Sequence, residues 1–195
     1  MSVLDNFESI VRARRSVRGF LDKPVDQQLL EEIFALASWA PSNCNTQPWH
    51  VHVVSGEKAQ SLKSALVGAM NKGEFSMDYP YLGQYQDVQR ERQYDAANQL
   101  YTAMGIARED KQARHEAFLN NFRFFGAPHA AFIFIKEGDL REAADVGMYA
   151  QNLMLGLSAA GLASCPQTAL SFHCDLVRSA LNVADDFKLL GYDPL

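Results

Sequence analysis

The chain has 195 residues, 48% of them hydrophobic and 21% charged, with a formal net charge of −5. That length suits one domain with a core large enough to stand without staples, and the acidic balance speaks against a nucleic-acid partner. No run approaches the ~18 apolar residues of a membrane span, and the start "MSVLDNFESIV" lacks the pattern of a signal peptide.

Along the chain, Phe7, Ile10 and Val11 recur at helical spacing after a cap at Asp5 or Asn6, and the helix ends near Arg14 or Arg15 where "SVRGF" reads as extended. In "KPVDQQLLEEIFALASWA" the residues Leu29, Leu30, Ile33, Phe34 and Ala37 form one apolar stripe, stopped by Pro41. "HVHVVSG" alternates as a strand, and "EKAQSLKSALVGAMNKG" is a helix closed by Gly73. From Glu74 to about Leu100 the pattern weakens, and tyrosines scatter among Pro, Gly and Gln. That segment reads equally as a cover over a substrate site or as a surface excursion. Helices follow in "RERQYDAANQLYTAMG" and "REDKQARHEAFLNNFRFF", then a buried strand in "HAAFIFIKEG" and a long helix in "LREAADVGMYAQNLMLGLSAAGL". "DLVRSALNVADDFKLLGYDPL" reads as a helix plus tail. The pattern implies an α+β protein whose sheet is covered by helices.

Two stretches carry chemistry. "RARRSVR" packs Arg12, Arg14, Arg15 and Arg18 into an acidic chain; guanidinium forks suit phosphate oxygens, although a charged helix end has the same composition. "WAPSNCNTQPWHVHVV" concentrates neutral donors and acceptors between two prolines, which suits a flat polar ring better than a charge. Neither a Walker A loop nor GxGxxG is present. One helix separates the two stretches, so a symmetric dimer could join the clamp of one subunit to the loop of the other. Cys44, Cys165 and Cys174 show no CxxC spacing and the five histidines no HExxH-like spacing, so neither a disulfide framework nor a metal site is expected, and a reducing, cytoplasmic setting fits. Trp39 and Trp49 are expected to pack the loop. The small residues of the long helix fit either core or a close helix contact at an interface.

"RRSVRGF", "APSNCNTQPWHVHVVSG", "NFRFFGAPHAAFIF" and "NLMLGLSAAGLASCPQTAL", in this order over nearly the whole chain, resemble the FMN-dependent nitroreductase family. The resemblance implies an α-β-α sandwich with a mainly antiparallel sheet, one domain over residues 1–195, and an intertwined homodimer with FMN in two interface sites. It implies that Arg14, Arg15 and Ser16 hold the FMN phosphate and ribityl chain, and that Arg18 lies near the pyrimidine edge. Pro41, Ser42, Asn43 and Asn45, with Gln47 in the same motif, would reach FMN from the other subunit. Pro166, Gln167, Thr168 and Ala169 would pack on the flavin ring, with a backbone N–H, that of Thr168, facing N5. Asn120 and Arg123 align with a pyrimidine-contacting pair, and Asn121 fits equally if the register slips by one. The implied activity is a ping-pong reduction of nitroaromatic or quinone-like acceptors by NADH or NADPH, with the flavin rather than a side chain as the catalytic group. Activated alkenes or quinones are alternative acceptors, and a flavin-binding dimer without turnover is the alternative from another class. Members of this family usually continue beyond the GY-x-DP segment, so a shortened C-terminus, or residues missing between Leu190 and Gly191, is expected to affect a phosphate contact and the dimer clasp.

Overall fold

The computed structural model describes residues 2–81, 83–136 and 139–195, and the backbone alone at Tyr192 and Asp193. Leu82 of the weakly patterned segment, and Glu137 and Gly138 at the end of the second strand stretch, lie outside the described residues.

The sheet is built around β2 (His129–Lys136), paired antiparallel on one side with β1 (His50–Ser55) and on the other with β3 (Phe187–Pro194). Seven of the eight β2 residues are buried, because both faces are covered. Ala130, Phe132 and Phe134 join one cluster, where they meet α3 (Gly56–Lys72) and α7 (Cys174–Leu181). Ala131, Ile133 and Ile135 join the other, against α2 (Gln27–Ala37) and α6 (Leu140–Ala159). This alternation of side chains across a strand gives one sheet two separate cores. The result is a helix–sheet–helix sandwich.

The helices bury the faces their spacing predicts. Leu30, Ile33 and Ala37 of α2 are buried, as are Ala59, Leu62, Leu66 and Ala69 of α3. Gly73 closes α3 in the left-handed conformation, φ 69°. Gly156 of α6 serves packing within the chain: a Cβ there would come within 3.1 Å of Ile33 Cγ2 on α2.

Four details differ from the sequence reading. The first helix, α1 (Val3–Ala13), is capped by Ser2 rather than Asp5 or Asn6, in a reciprocal capping box with Asp5 that serves two otherwise free N–H groups. None of its residues is buried. Trp39 is 85% exposed and packs nothing, whereas Trp49 stacks on Tyr149 with ring centroids 5.0 Å apart. The helix read in "RERQYDAANQLYTAMG" is α4 (Asp87–Ala103), again with no buried residue, but α5 (Lys111–Leu119) ends before "NFRFF" instead of running through it. The tail after α7 is strand β3, which crosses the Leu190–Gly191 junction. Asn182 stops α7 in the left-handed conformation and frees the chain to pair with β2.

β3 carries one irregularity. Gly191 pairs with Ile133 and Leu189 with Phe134, so Leu190 is an extra, bulged residue.

Candidate active site

One cavity lies against the bulge; it is not the largest space on the molecule, but its lining makes it the main one for this site. It measures about 660 Å3 and is lined by β2 and β3 through Ile133, Leu190 and Gly191, within the range of small-molecule pockets. One wall is α6, where Ala143, Gly147, Ala150 and Met154 recur at helical spacing and leave room for a flat ligand. Opposite lies the loop Pro166, Gln167, Thr168 and Ala169, followed by Phe172, while Phe118, Asn121 and Tyr81 close the rim. Tyr81 and Phe172 are 5.7 Å apart between ring centroids.

A second space lies next to it on the side of the basic segment. Met154 also lines this smaller space of about 290 Å3, together with Arg14, Arg15, Ser158 and Ser164. The reason is local: α1 ends at Ala13, and the chain after it pairs with the strand-like stretch beyond α6. Ser16 bridges Ser164, with Val17 N–H donating to Ser164 O at 3.0 Å. That stitch places the arginines beside the loop that begins at Cys165. Arg18 lines the main cavity itself. Among the described residues, no carboxylate lies within ion-pair distance of Arg14, Arg15 or Arg18. Arg15 donates only to backbone, at Arg12 O and Arg14 O, and Arg18 reaches Ser16 O at 3.4 Å. Three guanidinium groups without a neutralising carboxylate, next to a flat apolar slot, fit a ligand with an anionic tail and a planar ring. FMN is such a molecule.

The loop from Pro41 to Gln47 lines neither space. It folds as a 3-10 turn over Asn43–Asn45, with Cys44, Asn45 and Gln47 all at left-handed φ of 50°, 56° and 47°. Such residues are costly without glycine and persist only when surroundings hold them. Here the buried Asp145 of α6 accepts from Asn43 N–H at 2.9 Å, Ser42 Oγ accepts from Gln47 N–H at 2.9 Å, and Gln47 Nε2 donates to Asn45 Oδ1. The amide groups are presented outward.

Of the pair expected at a pyrimidine edge, Asn120 and Arg123, neither member lines the main cavity. Asn120 Oδ1 accepts from Arg123 Nη1 at 3.2 Å, Arg123 also meets Glu116 at 3.3 Å, and Arg123 lines a different space beside Lys63 and His129. Asn121, one residue on, lines the cavity. Phe118, Phe172 and the Leu190–Gly191 bulge escaped the sequence reading, whereas Tyr81 belongs to the segment that reads equally as a substrate cover or a surface excursion. The α6 wall was legible in principle as small residues at helical spacing, whereas the others are brought in by turns that leave no periodic signal.

Among titratable side chains on the lining are Arg18 and Tyr81. Burial, then the neighbouring Tyr85, raises the Tyr81 hydroxyl above its usual value. Tyr81 therefore keeps its proton at neutral pH.

The Nitroreductase family profile matches residues 11–192. The chain is 44% identical over 186 residues to nitroreductase NfnB of Mycolicibacterium smegmatis, covering 94% of this chain and 80% of that one. It is 35% identical over 196 residues to 4-nitrobenzoate reductase of Pseudomonas putida, covering 96% and 86%. The crystal structure of the FMN-dependent nitroreductase NfnB from Mycobacterium smegmatis in complex with NADPH superposes with a TM-score of 0.96 at 42% identity, covering 99% of this chain and 87% of that one. With that match over almost its whole length, on the fold described above, the chain belongs to the nitroreductase family.

Proposed function

We propose that this protein is an FMN-dependent oxidoreductase, a single FMN-binding domain that takes reducing equivalents from NADPH or NADH and delivers them to nitroaromatic or related quinone-like acceptors. The observation that carries the reading is the arrangement of two neighbouring spaces that share Met154, one lined by Arg14 and Arg15 and the other by Arg18 and the loop around Thr168. Relatives named for nitroreduction and FMN support it.

When bound, FMN would supply two-electron chemistry that no side chain of the chain offers. Arg14 and Arg15 would hold the phosphate, with Ser16 adding a hydroxyl near the ribityl chain. Arg18 would lend fixed positive charge at the pyrimidine edge, where charge grows on reduction. Pro166, Gln167 and Ala169 would bed the ring, and Thr168 would offer its N–H to N5. Asn121 takes the polar rim position better than Asn120 or Arg123, since it lines the cavity and they bond to each other. A small-residue wall and an aromatic rim leave one open face, so electron donor and acceptor would use it in turn, as a ping-pong cycle requires.

The protein would work as a homodimer, with FMN between subunits. Val3, Leu4 and Phe7 of α1 are 87%, 71% and 53% exposed, an apolar helix face too large to leave in water. A second copy covering it would bring Pro41, Ser42, Asn43, Asn45 and Gln47 to the neighbouring cavity.

The direct test is an anaerobic absorbance spectrum of the purified protein. Flavin bands near ~450 nm that bleach with NADPH or NADH, and return on adding a nitroaromatic compound, are expected. No bound flavin, and none taken up from added FMN, would refute the proposal.

A further inference from the structure

Away from the clamp, the chain buries a charged pair. Arg178 of α7 is 6% exposed, and its Nη1 donates to Asp78 Oδ2 at 2.6 Å and to Phe187 O at 3.2 Å, while Nη2 donates to Asp175 Oδ1 at 2.5 Å. The same Asp78 oxygen accepts from Leu189 N–H at 2.8 Å. One carboxylate and one guanidinium therefore join three pieces of chain: the segment after α3, helix α7 and strand β3. Backbone bonds reinforce the joint. Ser76 N–H donates to Phe172 O and Cys174 N–H to Ser76 O, both at 2.8 Å, and the His173 ring meets Glu74 O at 2.7 Å.

Each joined piece reaches the main cavity within a few residues. Tyr81 lies three residues beyond Asp78, Phe172 is bonded directly to Ser76, and Leu190 follows Leu189. A buried ion pair is a weak source of net stability but fixes geometry through directional bonds that apolar packing would not impose. Burial opposes ionisation of Asp78, yet the guanidinium, the Leu189 N–H and Cys174 together hold its carboxyl below the usual value, so the pair is charged at neutral pH.

We infer that Asp78 and Arg178 are a positioning pair that sets the aromatic side of the cavity, and so the affinity for flat acceptors, without touching cofactor or acceptor. The inference rests on the proposed function for its kinetic consequence alone.

The test compares the flavin-loaded wild type with Asp78→Asn, which keeps the shape and removes the charge. KM for nitrobenzene is expected to rise on the order of tenfold, while the flavin-to-protein ratio and the rate with ferricyanide, a compact acceptor that needs no aromatic wall, stay within about twofold. Backbone hydrogen exchange should rise together at 74–81, 174–181 and 187–191 and not elsewhere. If Asp78→Asn does not fold, Arg178→Lys, which keeps a cation but cannot span Asp78, Asp175 and Phe187 O at once, should show the same pattern more weakly. An unchanged KM, or exchange that rises evenly through the chain with both activities falling alike, overturns the inference. A wild type without nitrobenzene activity refutes the functional reading instead, and the exchange pattern still decides the role of the pair.

Discussion

Between Pro41 and Gln47 the chain holds three left-handed residues on an outward-facing turn, whereas between Pro166 and Phe172 it lines the main cavity. Both stretches are short polar loops with a proline, and both are held by other elements: the first by Asp145 of α6, the second by the Ser16–Ser164 bridge and the Ser76–Phe172 bond. The second completes a space within its own chain. The first pays backbone strain for a shape that nothing in its own chain uses. That contrast is what an interface site built from two copies would leave in each of them.

The strongest way to break the comparison is complementation. A Cβ added at Gly147 meets nothing within 4 Å, so Gly147→Leu should fold and project into the cavity space that Gly147 lines, abolishing flavin binding there. Asn43→Trp should spoil the exposed loop instead. Each variant alone should lose nearly all activity. Unfolded and refolded together, they should regain about a quarter of it, because half the randomly paired dimers carry one intact site of two. No regain would mean that the loop serves its own chain.

Next in size, Arg15→Ala should weaken FMN binding roughly tenfold to a hundredfold, since a charged hydrogen bond contributes ~1.5–3 kcal/mol. Titration of the apoprotein with FMN measures this, and unchanged affinity would show the arginine to be surface decoration. Smaller again, Asp145→Ala should cost about 1 kcal/mol of stability by freeing the Asn43 N–H. Proteolysis should then begin in the first loop and leave the second intact, and a thermal melt with limited digestion checks both.

The smallest effect is a pH dependence confined to the second loop's side. Burial holds the His173 imidazole below its usual value, against the upward pull of the Glu74 carbonyl and charge. A depressed histidine binds its proton more readily unfolded than folded, so its contribution is complete above about pH 6.5 and lost as pH falls through the folded value. His129, lowered by burial and then by Lys63, has the same sign. Protection factors near Phe172, which take out the fall in intrinsic exchange rate with pH, should therefore drop from pH 7.5 to 5.5 while those of the Pro41–Gln47 turn change less.

Much of the fold was legible because it rests on periodicity. The apolar stripes of α2 and α3 and the unbroken run of β2 report burial directly. The site was legible where residue chemistry is unusual, as in four arginines within seven residues. Its other half was not. Asn120 and Asn121 are adjacent and chemically identical, so the sequence leaves both open and only the fold shows that Asn121 lines the cavity; the two left-handed phenylalanines that follow are equally silent, since bulky residues give no warning of positive φ. β3 was hidden because Asp185 and Asp186 continue the polar pattern after α7, while the pairing that makes "FKLLGYDP" a strand comes from β2, some fifty residues earlier. Asp78 and Arg178 are a hundred residues apart, and nothing local marks either as buried.

Leu190 gives the sheet one residue more than its pairing needs. Deleting it would let Phe187 to Pro194 run in step with β2 without interruption, and the shortened chain could well melt higher than the natural one. It would also withdraw part of the cavity floor. Order and catalysis thus make opposite demands on a single position, and a relative that has shed this residue would have traded a working floor for a tidier strand.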